Sequence, residues 1–171
     1  IGYKGDAFDA ANKDYVAALL LQDLAFGETS DLRKKLLLKE QKVQNLIGSV
    51  PMNRDQPLFE IVSMVKKPED VGYVRDEIYR TLEEFKTTAV EASRLRDLKR
   101  CNKYGFLMTL DTPDAVAGRL ARFVALTGDI AIIDTLYARM DAITPEDIMR
   151  AAKKYFTPER RTVVVLKGGQ S

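Results

Sequence analysis

Two β-rich runs, VQNLIGSV at residues 43–50 and LFEIVSMV at residues 58–65, constrain this chain more than any other feature. Both are dense in branched apolar residues. The PMNRDQP between them, two prolines around an Asn-Arg-Asp core, reads as a turn. The pair is therefore a β-hairpin with a long loop, and everything around it has helical periodicity. Residues 10–26 carry Tyr15, Leu19 and the Leu20–Leu24 pair on an apolar face before Gly27 ends the helix. Thr29 or Ser30 can cap a second helix over residues 31–40.

Behind the hairpin, Lys67-Pro68-Glu69-Asp70 opens a helix with Val71, Val74, Ile78, Leu82 and Phe85 spaced by three and four. A long helix over about residues 89–110 carries Leu95, Leu98, Phe106 and Leu107. Thr112 and Pro113 open the next, with Val116, Leu120, Phe123 and Val124 inside and Gly128 as its stop. Residues 130–140 follow with Ile133, Leu136 and Tyr137 in register. Thr144 then caps a closing helix with Pro145 at its first position and Glu146 and Asp147 at the positive end of its dipole. Its inward face is Ile148, Ala151, Ala152 and Tyr155 or Phe156. A second Thr-Pro ends it. Residues 162–166, apolar on both faces, predict a central or doubly covered strand. Residues 1–4 predict a short strand at the other end. Strands of both orientations with helices segregated to one face describe a two-layer α+β domain, a single domain over residues 1–171.

The chemistry is bounded by what is missing. The 171 residues include no histidine. That removes a Ser-His-Asp triad, a Cys-His pair and an ordinary catalytic zinc site from this chain. Cys101 is the one cysteine, so there is no internal disulfide, and Gly27, Gly105 and Gly168-Gly169 do not form a phosphate loop. With 27 basic against 25 acidic residues, the net charge of +2 demands neither nucleic acid nor anionic lipid. The apolar stretches are too short to span a bilayer. The start IGYKGD has no initiator Met and no signal-peptide pattern, which suggests a fragment of a longer chain. The compartment is left open.

One charged feature is a candidate contact. Arg96, Lys99, Arg100 and Lys103 fall at helical spacing on one face of the long helix. A solvated face is the ordinary reading, and contact with acidic peptide or a partner half is the functional one. Nucleic acid is disfavoured, because no aromatics interleave the stripe. Cys101, in the same helix, reads as a small buried residue. Ser30 beside Lys34 and Lys35 reads as a helix cap, not a Ser-Lys dyad. Tyr3 is placed in the core or at an edge, with a chamber-lining role as the other reading.

Several segments, in order, resemble a homology unit of the pitrilysin/insulinase family of zinc metallopeptidases, which includes the mitochondrial processing peptidases. They are AFGETSDLRKKLLLKEQKV, VQNLIGSV, LFEIVSMVKKPEDV, EASRLRDLKRCNKYGFLMTLDTPDAVAGRLARFVALTGD and ITPEDIMRAAKKYFTPERRTVVVL, together nearly the whole chain. The resemblance implies a two-layer α/β sandwich of the LuxS/processing-peptidase-like metallohydrolase type, with a mixed, mostly antiparallel sheet and helices on one face. It also implies two such domains per unit and two units closing around a peptide chamber. In the first domain of a catalytic unit, a His-x-x-Glu-His motif and a distant Glu hold zinc, which polarises a water for the motif Glu. This chain is similar to the second domain, so it is expected to hold no cofactor, with zinc supplied by a preceding domain. Its implied partners are that sister domain, a second homology unit and a peptide substrate, with no nucleic acid and no membrane span.

In the family, the second domain of a partner unit also gives an Arg and, seven residues on, a Tyr to substrate. Here those positions fall on Leu37 and on Gln44 or Asn45. The chain is thus expected to be a non-catalytic, chamber-shaping domain of a zinc metalloendopeptidase. The alternative is a domain of a degenerate family member with an assembly or peptide-binding role. Either way, apolar surface should be exposed where a sister domain packs.

Overall fold

The computed structural model describes residues 1–168. Seven helices and four strands follow in the order β1 (Gly2–Lys4), α1 (Lys13–Phe26), α2 (Asp31–Arg33), β2 (Val43–Ser49), β3 (Leu58–Val65), α3 (Val71–Thr87), α4 (Ala92–Met108), α5 (Pro113–Thr127), α6 (Ile132–Asp141), α7 (Pro145–Tyr155) and β4 (Arg161–Thr162). The sheet order is β2-β3-β1-β4. Every pairing is antiparallel, so the mixed orientation expected from the sequence is corrected among the described residues. The α+β class and the one-sided helical layer stand. Along β3 the pleat alternates, with Phe59 and Ile61 buried and Leu58, Glu60, Val62 and Met64 exposed. One face of the sheet therefore packs on helices and the other does not.

Helix α1 is the centre of the core. Asn12 caps it, its side-chain oxygen accepting from the Asp14 and Tyr15 amides at 3.0 and 3.3 Å. Tyr15, Val16, Ala17, Ala18, Leu20, Leu21 and Leu24 are all buried, so the helix is covered almost all round and not on one face alone. It packs on β2 on one side and on α7, α6 and α4 on the others. After α2 the backbone widens into a π-helical turn, Lys34–Lys39, which closes when Gln41 takes φ 53°. Ser30 caps α2 by accepting from the Arg33 amide at 3.2 Å and is buried, which settles its role as a cap.

Glycine is needed at two points for different reasons. A Cβ on Gly5 would lie 2.3 Å from Phe59 Cε1, so the chain leaving β1 passes directly over a core ring. Gly128 ends α5 at φ 77°, the left-handed cap that L-residues disfavour.

Two expectations fail at the far end and on the surface. Residues 162–166 are not a central strand. β4 pairs only through Arg161 and Thr162 at the sheet edge, and Val164 and Leu166 are 69% and 92% exposed. Apolarity on both faces marked an uncovered segment, which pattern alone cannot tell from a buried one. Val124 is likewise exposed on α5, where only Phe123 is fully buried. Tyr3 lies in the core, edge-on to Phe156 at 5.0 Å.

Candidate functional site

The basic stripe predicted on the long helix is on α4, beside the junction of α6 and α7. That junction is built by local signals. Helix α6 ends at Asp141, and three residues on Thr144 starts α7 with a capping box. The Thr144 amide donates to Asp147 Oδ2 at 2.9 Å, and the Asp147 amide donates to Thr144 Oγ1 at 3.3 Å. A groove of about 320 Å³ runs between α4 and this junction, lined by Leu95, Arg96, Lys99, Arg100, Ile143 and Pro145 among others.

The four stripe residues divide in two. Lys99 reaches across the groove, its Nζ donating to the backbone oxygens of Asp141 at 2.9 Å and Ile143 at 2.6 Å. It thereby satisfies carbonyls that the end of α6 leaves open. Burial pushes its ammonium below the ordinary lysine value, with the charges of Asp141 and Asp147 opposing. Arg96 and Arg100 are exposed on the groove rim, and Arg96 Nε sits 3.9 Å from Asp97 Oδ1. Lys103 Nζ stands 3.9 Å from Asp141 Oδ2. Cys101 is exposed next to them, correcting the buried reading: α4 meets the body of the protein through Leu95 and Leu98 on another face.

A second polar cluster, not singled out in the sequence, ties α7 to α1 and to the segment that follows β1. Asp147 is 3% exposed and takes Lys13 at 2.7 Å and Arg150 at 2.6 Å besides its cap bonds. Burial works against the charged form, but the donors from Lys13, the Thr144 backbone and Arg150 outweigh it and hold the carboxyl at about 2. Arg150 and Lys154 also bridge to Asp14, and Tyr155 donates to Asp6 Oδ2 at 2.6 Å. Every charge here is paired, so the cluster is a fastener and has no free acid or base to offer a substrate. The only signal for it was the capping box, which showed the bond to Thr144 but not the long-range partners.

The most conspicuous surface is apolar. Ile47 of β2 stands opposite Val62 of β3, and with Leu58 and Met64 they are 46–58% exposed on the bare face of the sheet. The sequence signal was present in hairpin strands that are apolar on both sides. Among the described residues no three metal-ligating side chains come together, and none of the chain's residues is a histidine. The donor set does not fit a catalytic zinc, and no zinc-dependent step is assigned to these residues.

No protein-family profile matches the chain. It is 26% identical over 168 residues to the zinc protease PqqE of Helicobacter pylori, an alignment covering 98% of this chain and 37% of that protein. The chain is thus similar in sequence to a protein of the pitrilysin-like M16 peptidase type. Its fold matches the crystal structure of a protease from Helicobacter pylori with a TM-score of 0.82, at 24% identity, over 93% of this chain and 38% of that one. The inactive peptidase domain of a putative zinc protease from Bordetella parapertussis matches with 0.78, at 17% identity, over 99% and 91%. The peptidase M16 inactive domain from Pseudomonas fluorescens matches with 0.73, at 14% identity, over 92% and 37%. The chain thus spans less than two fifths of PqqE. At the positions where the family resemblance puts an Arg and a Tyr, it has a half-buried Leu37 on the π-helical turn and Gln44 and Asn45 at the start of β2.

Proposed function

We propose that this chain is the non-catalytic domain of a zinc-dependent metalloendopeptidase, in which it shapes the peptide chamber and docks the domain that holds the zinc. The observation that carries this reading is the alignment with PqqE, which takes in 98% of the chain but 37% of a protein described as a zinc protease. A histidine-free domain inside a zinc enzyme implies that the metal ligands are elsewhere in the polypeptide. The bare apolar sheet face supplies surface for a docking domain. Arg96 and Arg100 on the groove rim, with Lys103 beyond them and Lys99 fixing the groove wall, are proposed to meet an acidic stretch of peptide or partner.

The second reading, a degenerate family member that binds or assembles without cleaving, is favoured by Leu37 and by Gln44 and Asn45, which offer neither a cation nor a phenol where the family resemblance asks for them. One experiment separates the two. The full-length gene product is purified, its zinc measured, and hydrolysis of a quenched-fluorescence peptide library followed with and without chelator. Stoichiometric zinc and chelator-sensitive cleavage are expected, with no cleavage by this chain alone. A full-length product without zinc or cleavage sinks the first reading in favour of the second.

A further inference from the structure

Strand β2 is the outer strand of the sheet, and among the described residues no strand pairs with it on the side away from β3. The alternation of an antiparallel ladder decides which of its groups face that side. Past β1, the Gly5 amide donates to the Pro57 oxygen at 3.0 Å, so the odd residues of β3 turn towards β1 and its even residues towards β2. Glu60 and Val62 therefore bond Ser49 and Ile47, the residues opposite them, and the amides and carbonyls of Leu46 and Gly48 point outward. Two of the edge groups are nonetheless satisfied, both by side chains of the helical layer. Arg33 of α2 donates from Nη1 to the Leu46 oxygen at 2.8 Å. Gln22 of α1 accepts from the amide of Val50, the next outward residue, at 2.6 Å. The two positions belong together. If a second copy laid its β2 antiparallel along this edge with Gly48 facing Gly48, Leu46 of each copy would stand opposite Val50 of the other. In that register the Leu46 oxygen accepts from the Val50 amide across the join. Arg33 fills the acceptor of that bond, and Gln22 fills its donor.

We infer that Arg33 and Gln22 close the outer edge of the sheet, and that what they exclude is a second copy of this chain adding its β2 to this one. The bare face creates the need. Ile47 on β2 and Val62 and Met64 on β3 are about half exposed, so edge pairing would join two apolar sheet faces into one and cover the flank of Ile47. An edge strand with an apolar face is a template for another chain unless charge or a covering group blunts it. Here the blunting comes from behind, through a guanidinium and an amide that already make the bonds a neighbouring strand would make. Gln22 follows Leu20 and Leu21, both fully buried, and the edge gives a polar residue a task in that apolar helix. The closure does not depend on the metallopeptidase reading, because it uses only contacts within the chain.

The test compares the chain with its Arg33→Met and Arg33→Met/Gln22→Met variants by residue-resolved amide hydrogen exchange at rising protein concentration. In the double variant the amides of Leu46 and Gly48 are expected to slow by at least about tenfold between dilute and concentrated samples. Those of Ile47 and Ser49, bound to β3, are expected to keep their rates. In the unsubstituted chain Leu46 and Gly48 are expected to exchange at rates that ignore concentration. This alternation marks an added strand, and stacking of the apolar faces on one another would not produce it. Amides of α1 report that each protein is folded. Arg33→Met leaves α1 untouched and decides the matter if the double variant does not fold; the same slowing, smaller in extent, is expected of it. Arg33→Lys keeps a cation within reach of the Leu46 oxygen and is expected to behave as the unsubstituted chain. Rates at Leu46 and Gly48 that ignore concentration in every folded variant overturn the inference. So does slowing with concentration already present in the unsubstituted chain, which would mean an open edge. Slowing that is equal at Ile47 and Ser49 is general association and overturns it too.

Discussion

Asp147 shows how a single side chain is committed to structure. Its carboxylate accepts from the Thr144 amide and pairs with Lys13 and Arg150 while nearly inaccessible. Its folded value of about 2 lies below that of a free carboxyl, so the group adds stability at pH above the unfolded value near 4. That contribution, of order 2 kcal/mol, fades as pH falls through about 2. Asp147→Asn keeps a cap acceptor and loses the charge. Its midpoint temperature is expected to be lower than wild type at pH 6, with the gap closing towards pH 2, and thermal scans across that range check it. A gap independent of pH would mean the charge contributes nothing. Gly5→Ala tests a different residue-scale demand: the new methyl meets Phe59, and overpacking should cost about 1–3 kcal/mol in denaturant titration.

At the scale of elements, α6 is the instructive case. It has ten residues, only Leu136 fully buried, and its terminal carbonyls rest on Lys99 from another helix. Lys99→Met should remove charge-assisted bonds worth about 2 kcal/mol and lower the midpoint by roughly 4–8 °C. Arg96→Met on the rim should stay within about 0.5 kcal/mol. Equal effects from both would show that the stripe is one solvated face. Helix starts were legible in the sequence because caps are local: Ser30, Thr112 and Thr144 all accept the bonds expected of them. The hairpin was legible for the same reason, down to β2 and β3. The split within the basic stripe was not. Spacing shows that Arg96, Lys99, Arg100 and Lys103 share a face, but only the packed position of α6 decides that Lys99 is spent on carbonyls.

For the whole molecule, element order determined the α+β class, whereas coverage depended on neighbours that no local pattern reveals. Residues 162–166 and Cys101 were both expected inside from local pattern and residue type, and both are exposed. The apolar sheet face follows the same rule, and it predicts association. In analytical ultracentrifugation the domain should self-associate as concentration rises. Val62→Glu with Met64→Lys should hold it monomeric at unchanged denaturant midpoint, since both positions lie outside the core. A wild-type domain monomeric throughout would rule out that face as a docking surface.

The adjacency of β1 and β4 also has a mechanical consequence. They are antiparallel neighbours, and Ile1 and the chain past Thr162 leave them at the same end of the sheet. A load applied between those two points pulls along the hydrogen bonds and meets them one rung at a time, not all together in shear. Stretched this way in single-molecule force spectroscopy, the domain should open like a zipper at low force. Stretched between the hairpin loop and α4 it should resist, because tension there falls on the core around α1.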